Sequence, residues 1–337
     1  MDKITTLSQF LSLGGSQFQV YEMGRRVQHI DTDTFEQIEA LTIPYPSPLL
    51  GHAQFALVFW DETQDHFIWF LKLPLDEQGL LSPAPRTQFI KMIIEALGNA
   101  PTQKLTQAQQ DKLANHPFSF KPSPEKLAMF NALVRKKLNQ APSQQYQTAY
   151  DYLANKHKGN QWEKVGLQGI ADVCVRMNDN PHLELIKNGL SQSPIEVQIA
   201  ICQCLEHLSI DASLAHLLLN QIINEQTDHN LYRLRALASY PNLAKEAIMH
   251  WDRQNQLTPE LLITIAARNW TTLQDTQLQT LYLDALAKNE QAFFNQLFIE
   301  LVAIPVLRPL LLAQLRSPER SPQLTQAIGG LFKATKS

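Results

Sequence analysis

Apolar and polar positions follow two different periods in the first hundred residues of the chain. Three stretches with an apolar residue at every third or fourth position predict helices. Two pairs of strand-like segments lie between these stretches, and they turn at residues 23–26 and 61–65. The segments 54–60 and 66–73 are apolar on successive positions, so we expect two central strands that are covered on both faces. The order helix, hairpin, helix, hairpin, helix predicts a small α+β domain with an antiparallel sheet over residues 1–98.

The pattern changes after residue 123, where strand-like segments give way to helical ones. Residues 99–123 are rich in Gln, Pro, Asn and Lys and predict a linker. Five pairs of helical stretches follow, and they begin at residues 161, 195, 230, 259 and 292. Two helices in every block of roughly 30 to 35 residues are typical of an α-solenoid, so the sequence predicts an all-α, HEAT-like array over residues 124–337. A non-repetitive helical bundle is the alternative, because no sequence motif recurs from one pair to the next.

The composition narrows the class of protein and its compartment. The chain has 337 residues, of which 44% are hydrophobic and 18% charged, as in a folded globular protein. Its net charge of −3 argues against a general attraction to nucleic acid or anionic lipid. The three cysteines, Cys174, Cys202 and Cys204, are an odd number in a long chain, which favours a reducing compartment. Because neither a signal peptide nor a membrane span is predicted, we expect a cytoplasmic protein.

Three segments of the N-terminal part carry a resemblance to a known family. They are Tyr-Glu-Met-Gly-Arg-Arg-Val-Gln at residues 21–28, Val-Phe-Trp at 58–60, and Phe-Ile-Trp-Phe-Leu-Lys-Leu-Pro-Leu-Asp-Glu-Gln-Gly-Leu-Leu at 67–81. Together they resemble a family of bacterial proteins that is defined as domain of unknown function 3549, and the resemblance covers the whole chain. It implies a bacterial, cytoplasmic protein and assigns no catalytic residue.

The turn after the first strand holds the best polar candidate for a binding site in the N-terminal domain. Arg25 and Arg26 follow Gly24, and the planar guanidinium groups of arginine bind phosphate or carboxylate through two parallel hydrogen bonds. The two arginines are therefore a candidate site for an anionic ligand or a partner. The alternative is an exposed turn whose arginines pair with nearby acids such as Glu22 or Asp31.

A second candidate is the basic segment over residues 121–160, which carries seven Lys and Arg against two Asp and Glu. Arg135, Lys136 and Lys137 lie in the last turns of a predicted amphipathic helix, and Lys156, His157 and Lys158 extend the segment. These cations fit a nucleic acid or an acidic protein surface. They also fit the negative end of the helix dipole without any partner.

The nucleic-acid interpretation has a measurable consequence. Binding through Lys136 and Lys137 would release counterions from the phosphates, so affinity for a short RNA duplex should fall steeply between low and physiological salt. The double variant Lys136→Glu, Lys137→Glu should abolish that binding in a filter-binding assay. Binding by the variant that equals binding by the unaltered chain would contradict this interpretation.

Other constellations have a simpler structural explanation. Asp61, Glu62, Asp65 and His66 are the densest set of metal-binding side chains, but a turn between two apolar strands needs polar residues in any case. Cys202 and Cys204 point about 200° apart on a helix, so they cannot share a metal ion and are expected in the core. The chain has no glycine-rich phosphate loop and no nucleophile elbow. We therefore expect no metal and no cofactor.

Three functions remain open at this stage. A helical array exposes a long surface and little enclosed volume, which favours a non-enzymatic adaptor or scaffold for another protein. The alternative is a sensor or enzyme for a small anionic ligand in the N-terminal domain, with Arg25 and Arg26 as the binding residues. Nucleic-acid binding through Arg135, Lys136 and Lys137 is the third possibility.

Overall fold

The computed structural model describes residues 4–61, 66–97, 116–155 and 162–334. These residues form sixteen α-helices and four strands, so the predicted α+β class, with mostly helical content and an antiparallel sheet near the N-terminus, is confirmed. The chain divides into two compact units, Met1–Pro122 with Ala303–Pro305 and Ser123–Val302 with Val306–Ser337. None of the helices in the described ranges is both long and apolar enough to cross a membrane.

Within the described residues, the first unit contains the sheet and three helices. In chain order its elements are α1 (Leu7–Leu13), β1 (Gln17–Glu22), β2 (Gln28–Ile30), α2 (Thr32–Glu39), β3 (His52–Trp60), β4 (His66–Pro74) and α3 (Pro83–Leu97). The strands pair antiparallel in the order β2-β1-β3-β4. The predicted sequence of helices and hairpins is therefore confirmed.

The aromatic side chains of the central strand organise the core of this unit. Phe55 and Phe59 of β3 are buried, and their rings contact those of Phe35 at 5.3 Å and Trp69 at 4.5 Å between centroids. Ala56 and Val58, on the opposite face of β3, are fully buried as well, because β3 is covered on both faces as predicted. Such ring pairs add stability beyond the area that they bury.

The second apolar strand differs from the prediction. β4 stands at the end of the strand order, and most of its side chains are half-buried. Residues 116–120, which the sequence assigns to the linker, lie against it: the Lys72 amide donates to the Phe118 carbonyl at 2.7 Å, and the Phe120 amide donates to the Phe70 carbonyl at 3.3 Å. The apolar run in β4 therefore reflects cover from a segment later in the chain. Residues 98–115 lie outside the described ranges.

The second unit is built from helices. They are α4 (Pro124–Lys137), α5 (Tyr146–Leu153), α6 (Leu167–Cys174), α7 (His182–Gln192), α8 (Ile195–Leu205), α9 (Ala212–Asn224), α10 (Asn230–Ala236), α11 (Pro241–Arg253), α12 (Pro259–Arg268), α13 (Thr276–Leu286), α14 (Gln291–Val302), α15 (Arg308–Gln314) and α16 (Pro322–Ala334). Short 3-10 helices lie at Trp162–Lys164, Leu237–Ser239 and Trp270–Gln274. All five predicted helix pairs are present. The first of their helices starts later than predicted, at Leu167.

The helices of this unit pack in two rows. In row A, which comprises α4, α6, α8, α10, α12, α14 and α16, each helix contacts the next member of the row. In row B, α5, α7, α9 and α11 do the same, and the 3-10 helix Trp270–Gln274 contacts both α11 and α13. Helices consecutive in the chain therefore alternate between rows, and each buries its apolar stripe on neighbours from nearby pairs.

Local chemistry explains where several of these helices begin. The Asp211 carboxylate accepts the Ser213 amide at 2.8 Å, and the Asp275 carboxylate accepts the Leu278 amide at 2.9 Å, so each satisfies one unpaired donor of a first helical turn. Proline occupies the first position of α11 and of α12, where a missing amide hydrogen costs nothing.

The turn before β3 forces one leucine into an unfavourable backbone conformation. Leu49 and His52 exchange backbone hydrogen bonds at 3.0 Å, which closes a two-residue turn. Leu50 and Gly51 occupy the centre of this turn with φ angles of 49° and 70°. Glycine adopts this left-handed region freely, whereas a leucine pays a steric cost, and the Leu50 side chain is 61% exposed and recovers little of that cost by burial.

We therefore expect Leu50→Asn to stabilise the first unit. Asparagine tolerates the left-handed region better than leucine, and the free energy of unfolding should rise by about 0.5–1 kcal/mol. Denaturant titration of the full chain, followed by tryptophan fluorescence, to which Trp60 and Trp69 of this unit contribute, measures the change. Leu13→Asn, at a helix residue that is 72% exposed, serves as the control and should give no gain. A loss of stability in Leu50→Asn would contradict the assignment of strain to this turn.

Candidate interaction groove

Two neighbouring cavities open along row B of the second unit. The smaller has a volume of about 560 Å³ and lies between the C-terminal ends of α9 and α11. The larger, of about 900 Å³, lies between the C-terminal end of α11 and helix α13. We call the two cavities together the groove. They occupy two successive junctions between helices of the same row.

The segment 254–258 forms the wall that the two cavities share. Gln254, Gln256 and Thr258 line the smaller cavity, and Asn255 and Leu257 line the larger one. This segment is held by the C-terminal cap of α11: the amides of residues 255 and 256 donate to the carbonyls of residues 252 and 251, both at 2.9 Å. Asn255 has a φ of 56°, the left-handed conformation that ends many helices. The shared wall therefore has a defined backbone.

The groove combines an apolar floor with polar sides. The floor is formed by side chains of the helices, with Leu281 and Ala285 in the larger cavity and Trp251 and Leu261 in the smaller. The sides carry amides and hydroxyls, namely Asn255, Thr276, Gln277, Thr280 and Asn289 in the larger cavity and Gln226, Thr227, Asn230, Gln254, Gln256 and Thr258 in the smaller. Ligand sites in proteins usually combine an apolar surface with a few polar groups in this way.

Acidic side chains predominate around the groove. Asp252 and Asp284 line the larger cavity, and Glu225, Asp228 and Glu260 line the smaller. Among lysines and arginines, only Lys288 lines either cavity, and His250 contributes an imidazole. Glu225 is engaged by Arg233 at 2.6 Å and Asp284 by the Ser321 hydroxyl at 2.7 Å. The electrostatic potential of the groove is therefore negative, in line with the small negative charge of the whole chain.

An ion pair links α11 to the start of α13. Lys245 of α11 lies 2.6 Å from the Asp275 carboxylate, which also caps the start of α13. The hydrogen bond from Lys245 and the backbone hydrogen bond from Leu278 lower the pKa of Asp275 below its ordinary value. Both partners are partly exposed, so this pair positions the two helices more than it stabilises the fold.

A buried carboxylate connects three helices of row A. Glu206, at the end of α8, accepts hydrogen bonds from Arg235 of α10 and from Arg268, at the end of α12, the latter at 3.0 Å. The His207 imidazole lies 3.6 Å from the same carboxylate. The two arginines follow Glu206 by 29 and 62 residues, about one and two helix pairs later. Sequence reasoning missed this cluster, although the spacing of its members matches the spacing of the predicted pairs.

Arg25 and Arg26 do not occupy an exposed turn. Their side chains are 2% and 5% exposed, and the Arg25 Nε donates to the Pro48 carbonyl at 2.8 Å. The amides of Gly24, Arg25 and Arg26 all donate to the buried Glu22 carboxylate. The interpretation of this segment as an exposed turn was wrong, because the turn folds around a buried acid. That Arg25 and Arg26 bind an anionic ligand stays a prediction.

Two of the three cations in the last turn of α4 have partners within the second unit. The Lys136 ammonium donates to the Val175 carbonyl at the end of α6 at 2.7 Å, and Arg135 donates to the Ala141 carbonyl at 3.3 Å. Lys137 is exposed. Cations next to free carbonyls at helix ends match the dipole explanation of this segment. Lys156, His157 and Lys158 lie outside the described residues.

The remaining candidates for metal binding or nucleophilic chemistry either lie partly outside the described residues or are buried. Glu62 and Asp65 lie outside the described residues, and the part of the chain that the structure describes contains no group of three His, Cys, Asp or Glu placed to hold a metal ion. Cys174, Cys202 and Cys204 are buried, the latter two as predicted. Burial raises the pKa of Cys202 to about 12, so its thiol is protonated at neutral pH.

The Glu206 cluster predicts how stability depends on pH. Burial alone raises the pKa of Glu206, but the positive charges of His207, Arg235 and Arg268 outweigh it and hold the pKa below its ordinary value of 4.5. The ionised carboxylate therefore stabilises the fold above pH 4.5, and this contribution is lost as the pH falls through the folded-state pKa.

We expect Glu206→Gln to reduce the free energy of unfolding at pH 7 by about 3–5 kcal/mol, because the two arginines keep their charge and lose their partner. The loss should shrink below pH 4 in denaturant titrations. Glu196→Gln, at an exposed position of α8, is the matched control and should change stability little. Equal stability of both variants at pH 7 would contradict the role of this cluster.

Comparison with known proteins gives one match. No curated protein and no solved structure is similar to the chain at a significant level. One family model, described as "Protein of unknown function (DUF3549)", matches residues 2–332. Because the match covers nearly the whole chain, and the resemblance in the N-terminal segments pointed to the same family, the chain belongs to the family of domain of unknown function 3549.

Proposed function

We propose that this chain is a non-enzymatic protein-interaction adaptor, and that its second unit is a HEAT-like α-solenoid that holds a segment of a partner protein in the groove. The single observation that carries the proposal is the pair of adjacent cavities that share the segment 254–258 as a wall. Two adjacent cavities suit a ligand that runs along the helices rather than a compact substrate.

The packing of the second unit supports the solenoid. In row A each helix contacts the corresponding helix of the next pair, in row B α5, α7, α9 and α11 do so, and the first helices of consecutive pairs start at Ile195, Asn230, Pro259 and Gln291. Nearest-neighbour packing at a nearly constant interval is the defining property of repeat arrays. Such arrays bind their partners through extended surfaces, and the groove is a surface of this kind.

The positions of the other candidates favour the adaptor over the alternatives. Arg25 and Arg26 are buried, and the Nε of Arg25 donates to the Pro48 carbonyl, which gives this guanidinium group a structural explanation. Lys136 is used to bind the end of α6, which weakens the case for nucleic acid. We also propose a cytoplasmic location, because three buried, free cysteines suit a reducing compartment.

The experiment that tests the adaptor function uses a photo-crosslinking amino acid in the full-length chain, expressed in the cells from which it comes. Placed at Gln277, an exposed residue of α13 that lines the larger cavity, it should give one discrete crosslinked protein. Placed at Glu246, an exposed residue of α11 outside the groove, it should not. Both positions lie in the second unit, but only Gln277 lines the groove.

A blocking substitution tests whether the crosslink at Gln277 depends on the larger cavity. Thr276→Trp places a neutral, bulky side chain at the exposed first residue of α13 and should block the larger cavity without changing charge. The crosslink from Gln277 should disappear in this variant, while its melting temperature stays within a few degrees of the original. Equal crosslinking from Gln277 and Glu246, or none from Gln277, would overturn the proposal.

A further inference from the structure

We infer that the groove binds an extended, basic segment of the partner protein, through hydrogen bonds from its amide and hydroxyl side chains to the partner's main chain and through ion pairs with its carboxylates. This inference rests on the proposed function and adds the chemistry of the partner to it. Three properties of the groove carry it: the types of polar group, the surplus of negative charge, and the distance between the two cavities.

The polar groups of the groove match a polypeptide backbone. Asn255 and Gln277 in the larger cavity and Gln226 and Gln256 in the smaller carry side-chain amides, each with both donors and an acceptor. An extended chain presents amide and carbonyl groups in alternation, and each needs a partner when it leaves water. Amide side chains satisfy both kinds of group whatever the sequence of the bound segment, and the apolar floor accepts the aliphatic parts of its side chains.

The charges of the groove select among such segments. Five carboxylates and one lysine line the two cavities. Among the described residues, the Asp252 and Asp228 side chains have no hydrogen-bond or ion-pair partner, so these two acids, one in each cavity, can pair with a bound cation. A lysine or arginine of the partner would gain such a pair, whereas an aspartate or glutamate would be repelled.

The distance between the cavities sets the length of the segment. Packed helices lie about 8–10 Å apart, and an extended chain advances about 3.3 Å per residue. One junction therefore corresponds to about three residues of the partner, and the two cavities accommodate about six. A segment with basic residues about three positions apart would place one cation near Asp228 and another near Asp252.

The test uses a phage-displayed library of random 12-residue peptides selected against the full-length chain. Selected peptides should be enriched in lysine or arginine at positions about three apart and depleted in acids. The best peptide, made with a fluorescent label, should bind the chain in an anisotropy titration. The same peptide with alternate amides N-methylated should bind at least about tenfold more weakly, because main-chain donors are lost.

Two variants of the chain locate the binding site. Asp228→Lys combined with Asp252→Lys reverses charge in both cavities and should weaken binding of the peptide at least about tenfold. Glu246→Lys, the matched charge reversal on α11 outside the groove, should leave the affinity within about twofold and so controls for the change in net charge. Circular dichroism melting of both variants shows that the fold is retained.

Each remaining outcome is decisive. Failure of the library to yield a binder, selection of peptides without basic residues, or equal binding by the two charge-reversed variants would overturn the inference. If the crosslink at Gln277 is nevertheless obtained and is blocked by Thr276→Trp, the adaptor function stands and the chemistry assigned to its partner is wrong. If no crosslink forms, the proposed function fails as well.

Discussion

Burial of apolar helix stripes on helices of neighbouring pairs is the constraint on which the second unit depends. A helix such as α12, with Leu261, Leu262 and Ile265 buried, is too short to be stable in water by itself and must cover this stripe. Because each pair has a stripe on two sides, the pairs stack, and stacking produces rows A and B. At the junctions of α9 with α11 and of α11 with α13, helix ends line cavities that open at the surface. The cavities of the groove are a product of this arrangement.

The residues at the ends of the helices are explained by the need to satisfy backbone hydrogen-bonding groups. A helix terminates with free carbonyls, and α11 solves this problem with a left-handed asparagine and two backbone hydrogen bonds at Asn255 and Gln256. The residues that follow are polar because they face water. Where such helix ends border a cavity of several hundred cubic ångströms, the same residues line that cavity. Residues of the helix cap, such as Asn255 and Gln256, thus also line the groove.

The sequence predicted the elements well because their signals are local. Apolar period and prolines at helix starts placed α8, α10 and α12 at their observed first residues, Ile195, Asn230 and Pro259. Contacts between residues distant in sequence could not be predicted in this way. The cover of β4 by residues 116–120 depends on the path of a segment without a strong pattern. The groove is formed by three helix ends, and none of their residue types is unusual when taken alone.

Charged residues were the hardest to place. An arginine pair beside a glycine predicts a solvated turn, and only the fold reveals that Glu22 lies beneath it and accepts three backbone amides. Likewise, Glu206 and Arg268 lie 62 residues apart, and no local pattern links them. Their pairing is a property of row A, since it requires α8, α10 and α12 to bring their ends together. In both cases a buried carboxylate organises the groups around it, three backbone amides at Glu22 and two arginines at Glu206.

The sharing of Glu206 by two arginines affects how the array comes apart. In a stack held by contacts between adjacent pairs, terminal pairs can detach one at a time. Arg268 makes a contact beyond the adjacent pair, because its guanidinium binds the Glu206 carboxylate, which lies about two pairs earlier in the chain. Detachment of α12 would leave Glu206 without Arg268, and detachment of α8 would leave both arginines without Glu206. We therefore expect α8, α10 and α12 to unfold together as one cooperative block.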